Sequence, residues 1–414
     1  MRQLIIASAF ALAAMAGPGL AQEAGSERLA RFHSQVETDP VRLDFSTWTT
    51  ILEAIVFDVG HSDRRDPGAP RKVTGSLLPV ESSSRYRYEN NRVIYHLMED
   101  VHREAISQYR ADLEAVASQV DIAALPRDEQ LAYWLNLYNV VVIDEIARRY
   151  PERRVNRIRI DGQGLYEAPV IVLDGTALSL NDIRFGIVQA QWRDPRIIYG
   201  FYSGAVGGPA LNNQAFEGRS VWSQLERNGR EFVNALRGID NYRGRPRISP
   251  LYDEHRALFP QWPDALYDHL RAYAFEETLD GLAPFEGEPE FLDYDTSVGD
   301  ITNGRTGCGS AGALPIDIVD GSGRHVGSVD CRVLPASALG LMEVVIERRL
   351  RNLREGNFGR VTIRDLPSPD PQAQDPQVFG TALRPSAQPA PQASEEAPQE
   401  AEAGTGSDEP SQHR

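Results

Sequence analysis

The stretch that most constrains this chain is Glu129–Asn139, which reads Glu-Gln-Leu-Ala-Tyr-Trp-Leu-Asn-Leu-Tyr-Asn. Leu131, Leu135, Tyr138, Val142 and Ile146 recur at steps of three and four, which puts them on one face of a helix. Pro126 suits the first helical position. Asp128 and Glu129 complement the positive end of the helix dipole, and Arg148 and Arg149 the negative end. Pro151 forbids continuation. A helix of this kind belongs in a core, with neighbouring elements packed onto it. Asn136 and Asn139 sit one turn apart in this apolar setting. A buried amide is unfavourable unless hydrogen-bonded, so both are expected to grip neighbouring backbone. Glu129, Tyr133 and Asn136 share a polar face, which reads as capping and hydrogen bonding or as the wall of a pocket.

The two ends have their own texture. Residues 1–21 have the pattern of an export signal: Arg2 for charge, Leu4–Met15 as the apolar stretch, and Gly19-Leu20-Ala21 as a small-residue cleavage site. The apolar stretch is short for a membrane span, and no cysteine follows for a lipid anchor. The expected location is a bacterial periplasm or the medium, without a membrane anchor. From Pro367 onward Pro, Ala, Gln, Glu and Ser dominate, which predicts disorder over 367–414. The formal charge is −16. Without Arg2 and a tail of eight acids and two arginines, the body carries −11. An acidic body argues against sequence-independent binding to nucleic acid or anionic lipid. Lys72 is the only lysine, so arginine pairs reflect a compositional bias more than phosphate sites.

Between the ends, residues 27–60 read as mostly helical, 61–75 as a polar loop, and 98–118 as a second helix. Val155–Ile160 is a candidate strand. Val170–Leu173 and Thr176–Leu178 flank Asp174-Gly175, a two-residue hairpin signal. Ser179 with Asp182 forms a capping box for a helix to about Gln191. Arg196–Tyr202 is an aromatic and β-branched candidate strand. It runs into Ser203-Gly204-Ala205-Val206-Gly207-Gly208-Pro209, whose glycines permit positive φ or close approach. Helices are expected over 220–236, from Ser249-Pro250, over 263–274 and over 339–354, with strands at 291–295 and 361–366. Leu314–Val319 and His325–Val333 read as a small β unit.

With these stretches in view, the chain resembles the domain of unknown function 547 family over roughly residues 40–300. The Glu129–Asn139 stretch followed by Tyr150-Pro151 carries most of the likeness, and Leu178–Ile183 and Pro209–Leu211 add collinear support. The family pattern usually has a histidine, two cysteines before a proline, and a later tryptophan. Aligned on Pro209, this chain has Ile198 for the histidine, Ser203 and Gly208 for the cysteines, and Thr296 for the tryptophan. Thiol or disulfide chemistry in relatives therefore does not carry over.

Ser203 is the sharpest candidate for catalysis. A nucleophile at a strand end beside a Gly-rich loop can face a cleft with backbone N–H donors. It needs a base, and His96, His102, His255 and His269 are all open. The other reading is a structural or binding loop. Glu129, Tyr133, Asn136, Asn139, Gly204, Gly207 and Gly208 would then line a cleft between the helix and the loop. Asp295 is a candidate orienting acid. His96 and His102 do not have a metal-ligand spacing, and no metal or cofactor is expected. Cys308 and Cys331 are the only cysteines and enclose about 24 residues. In an oxidising compartment they are expected to bond, for which loop entropy gives about 3–4 kcal/mol. A redox pair would more often be Cys-x-x-Cys.

The sequence thus predicts an α+β protein. A helix-rich domain around a small β-sheet (28–300) is followed by a disulfide-containing β-rich appendix (301–366) and the tail. Two functions stand: a non-catalytic binding or structural protein with a protein, peptide or small-molecule ligand, or a hydrolase or acyltransferase using Ser203. Export makes a direct prediction: N-terminal sequencing of mature protein should begin at Gln22, and material beginning at Met1 would overturn the export reading.

Overall fold

The computed structural model describes residues 28–354, except 36, 38–39, 71–82, 243–244, 283–286, 303–315, 320–324 and 330–335, together with 378–380. The expected export signal and the Cys308–Cys331 bond lie outside these residues.

The long central helix is α3, Arg127–Arg149, reached after β1 (Arg42–Asp44), α1 (Ser46–Ile55), β2 (Val56–Phe57), β3 (Arg92–Val93) and α2 (Asp100–Val116). Its whole circumference is buried from Glu129 to Ala147, not one face alone. Trp134 is 0% exposed and meets the edge of Phe32 at 5.6 Å between ring centroids. A helix buried all round must bond each polar side chain it carries. Gln130 donates to the carbonyls of Ala123 and Leu125 and accepts from the Ser34 hydroxyl. Asn136 brackets Phe216, donating to its C=O at 2.8 Å and accepting from its N–H at 2.9 Å. Asn139 donates to Gly200 C=O at 3.0 Å and accepts from Tyr202 N–H at 2.9 Å. At the far end Arg110 of α2 bridges Asp144 and Glu145, and also Glu114. Burial opposes the Arg110 charge, but hydrogen bonds to Glu114, Glu145 and Asp144 outweigh it and raise its pKa.

The chain is α+β. Its strands are short. β4 (Arg159–Ile160) pairs with β5 (Gln163–Gly164), and β6 (Ile171–Leu173) with β7 (Thr176–Leu178) across the Asp174-Gly175 turn. Both turn residues have positive φ, as the hairpin requires. Ser179 and Asp182 cap each other reciprocally, and the helical turns that follow, Asp182–Gln189, are π-wound. Next come α4 (Val221–Val233), then the hairpin β8 (Ile239–Tyr242) and β9 (Arg245–Ile248). α5 (Leu251–Glu254), α6 (Asp264–Tyr273), α7 (Glu276–Leu282) and β10 (Glu290–Phe291) follow, with β10 parallel to β9.

Three expectations change. Arg196–Tyr202 is not a strand: Pro195–Gly200 winds as 3₁₀ turns. Pro195 starts them, and the Asp194 carboxylate accepts the Arg196 N–H at 2.9 Å. The β-branched residues there are buried on all sides, which strand and tight helix satisfy equally. Between 27 and 60 the longest helix is α1, and the chain then turns extended at β2. Residues 155–157 form a 3₁₀ turn that leaves only two residues for β4.

Beyond 300, β11 (Ile316–Val319) and β12 (His325–Val329) form the expected antiparallel pair, and α8 (Ala336–Arg354) is longer than expected. α8 packs Ala338, Leu341 and Val345 against Val59 and Ile301. Its Arg348 donates to the carbonyls of Val59 and Tyr88 and pairs with Asp63. Within the predicted tail, β13 (Val378–Gly380) lies parallel to β1. No helix of the described residues is long and apolar enough to cross a membrane.

Because Trp134 is enclosed by its neighbours, Trp134→Ala should cost about 3–5 kcal/mol in denaturant unfolding. A loss below about 1 kcal/mol would remove α3 from the core.

Candidate functional site

Ser203 follows the 3₁₀ turns on a segment that Asn139 holds against α3. It is 7% exposed. Its Oγ accepts hydrogen bonds from the Tyr294 hydroxyl at 2.8 Å and from the Ala205 N–H at 3.3 Å. Burial pushes the Tyr294 phenol well up, so it stays neutral and donates. A group in that state cannot take the Ser203 proton. The four histidines are engaged elsewhere or lack a bond to Ser203. His255 faces Gln189 and is lowered to about 3 by burial. His269 meets the Tyr199 hydroxyl at 2.8 Å and is lowered to about 4, again by burial. His102 accepts the Glu99 N–H, while the His96 ring Nε2 is buried without a partner.

An oxyanion hole requires free backbone donors. Here four N–H groups after Ser203 are already bonded: Ala205 to Ser203 Oγ, Val206 to Ser297 C=O, Gly207 to Asp295 C=O, and Gly208 to Ala205 C=O. The carbonyls of Ala205, Val206 and Gly208 accept from the Asn90 amide, and Gly208 C=O also from Arg237. The glycines are required by packing. Gly204 has φ +75°, and a Cβ there would meet Ile146 at 2.3 Å. A Cβ on Gly207 would lie 2.8 Å from the Asp295 nitrogen, and one on Gly208 2.1 Å from Ser203 Oγ. Asp295 itself accepts the Ser297 N–H at 2.9 Å.

Of the residues assigned to a cleft, Asn136 and Asn139 bracket backbone, and Tyr133 donates to Leu113 C=O at 3.0 Å. Glu129 differs. Its side chain faces a cavity of about 200 Å³ lined by Arg42–Phe45 and Glu217–Arg219. Its Oε2 accepts a single long bond, 3.4 Å, from the Leu43 N–H. Burial raises its pKa, while that N–H and Arg42 pull it down, and Asp128 and Glu217 push it up. Gly218 makes room: a Cβ there would sit 2.4 Å from Glu129 Oε1. Arg219 pairs with Glu217 at the rim. The arrangement leaves a carboxylate with acceptor capacity facing an open space, suited to a cation or to N–H donors. The partners Arg42, Leu43 and Gly218 were missed from the sequence. They lie far from Glu129 along the chain, and only the small size of Gly218 could have hinted at close approach.

Residues 122–233 match a family model described as Protein of unknown function, DUF547. Over that span the chain is similar to this family. The DUF547 span starts just before α3 and ends with α4, so it holds Glu129, both bracketing asparagines, Ser203 and Gly218. It leaves outside Arg42–Phe45, which close the Glu129 cavity, and Tyr294, which bonds Ser203. No curated protein and no solved structure matches the chain.

The raised Glu129 pKa makes a signed prediction. Below the unfolded value of about 4.3 both forms are neutral, so Glu129→Gln and wild type should be equally stable. As pH rises through the folded value, wild type alone must ionise a buried acid. At pH 7.5 Glu129→Gln should melt higher than wild type. Thermal melts at pH 4 and 7.5 check this. A variant less stable than wild type at pH 7.5 would make the carboxylate a structural cap.

Proposed function

We propose that this is an exported protein that binds a ligand without transforming it, and that the Glu129 cavity is the binding site. The observation that carries the reading is Glu129 itself: a residue 6% exposed, its carboxylate held in a cavity with one long hydrogen bond. Buried acids are ordinarily well bonded, and retaining an underbonded one costs stability. That cost fits a role in recognition. The ligand class is an N–H donor or a cationic group, such as a peptide supplies. The acidic body favours such partners over nucleic acid.

The Ser203 loop supports the non-catalytic side of this reading. Its serine lacks a bonded base, its tyrosine neighbour is a donor, and the N–H groups of Ala205, Val206, Gly207 and Gly208 have partners. It serves as a structural knot between the segment after Asn139 and the chain around Tyr294. Purified protein incubated with a fluorophosphonate probe should stay unlabelled. Labelling that Ser203→Ala removes would overturn the proposal in favour of a hydrolase or acyltransferase.

A further inference from the structure

β1 is three residues long and lies directly against the Glu129 cavity. The Leu43 N–H points to the Glu129 carboxylate. Backbone groups alternate between the two edges of a strand, so those of Arg42 and Asp44 face the other edge. That edge is where β13 runs, parallel and in register: Arg42 opposite Val378, Leu43 opposite Phe379, Asp44 opposite Gly380. β13 comes from a tail whose composition predicts no structure. Yet Val378-Phe379 is the one adjacent pair of β-favouring residues after Pro367, set between Pro376 and Gly380. The local sequence and the pairing therefore agree on the same residues.

We propose that β1 is a docking edge for an extended peptide, and that this chain's own Val378–Gly380 is the segment it holds. This rests on the reading of the Glu129 cavity as a binding site and adds the mode of recognition. Main-chain hydrogen bonds along Arg42–Asp44 hold the segment, as in other strand-addition complexes. The cavity beside it takes an N–H or cationic group from whichever peptide lies there. Because the tail is tethered, its effective concentration is high, and a free peptide must displace it to reach the same edge.

Hydrogen exchange on the full-length chain tests this, comparing wild type with the double variant Val378→Pro and Phe379→Pro. Proline removes the N–H donors of β13 wherever the ladder uses them. Both positions lie in the tail, so the exchange of α3 serves as an internal control for folding. The Arg42 and Asp44 amides should exchange at least about tenfold faster in the variant, with α3 unchanged. A synthetic peptide of residues 373–386 should restore protection in the variant and leave wild type unaltered. Equal exchange of the Arg42 and Asp44 amides in the two proteins would overturn the proposal. Faster exchange in α3 as well would overturn it too, by making β13 part of the core. Equal protection by a scrambled peptide would remove the choice of Val378–Gly380. The fluorophosphonate and Glu129→Gln measurements do not depend on β13, so failure here leaves the proposed function standing.

Discussion

The structure depends on side-chain amides doing what a sheet would otherwise do. α3 is surrounded on all sides, and the segments around it are mostly irregular. Irregular backbone near a core leaves N–H and C=O groups without ladder partners. Asn136 and Asn139 supply those partners, each satisfying one donor and one acceptor of a neighbouring segment. Gln130 does the same for the approach to α3. The helix is thus both hydrophobic core and hydrogen-bonding scaffold. The short strands follow from this, since the chain has little need for long ladders where amides already hold it.

The Arg110 network closes the other end of α3. One arginine faces Asp144, Glu145 and Glu114, and Arg148 and Arg149 return to Asp144 and Glu145. Removing one partner would leave charge buried and uncompensated, which is costlier than the pair itself is stabilising. Between these two polar anchors sits the apolar stretch Val140–Ile143. Glu129, at the start of α3, stands apart from both: its environment is an open cavity with one weak partner. That contrast within a single helix is why the cavity, and not the Gly-rich loop, is the more informative site.

Much of the α-helical skeleton was legible because its signals are local. Proline, acids and arginines bound α3, a two-residue Asp174-Gly175 turn sets the hairpin, and Ser179 with Asp182 caps the helical turns that follow it. The roles of Asn136 and Asn139 followed from the energetics of burial alone. The run at 196–202 misled because a fully buried segment loses its periodicity, and the deciding features were Asp194 and Pro195 just upstream. The Ser203 loop resembled a nucleophile turn because glycine reads alike whether it frees an amide for a ligand or admits a neighbour's side chain. Here it admits Ile146, the Asp295 backbone and Ser203 itself. The Glu129 cavity could not be assembled from sequence, since its other wall is built by residues about 90 positions away on either side.

Ser203 and Gly208 compete for one volume. A Cβ at 208 would stand 2.1 Å from the serine oxygen and 3.1 Å from its Cβ, slightly under the spacing a disulfide spans. Two unlinked side chains do not fit there, whereas two joined by a covalent bond nearly do. The residues at these positions are therefore epistatic. With serine retained at 203, any side chain at 208 meets an immediate steric penalty.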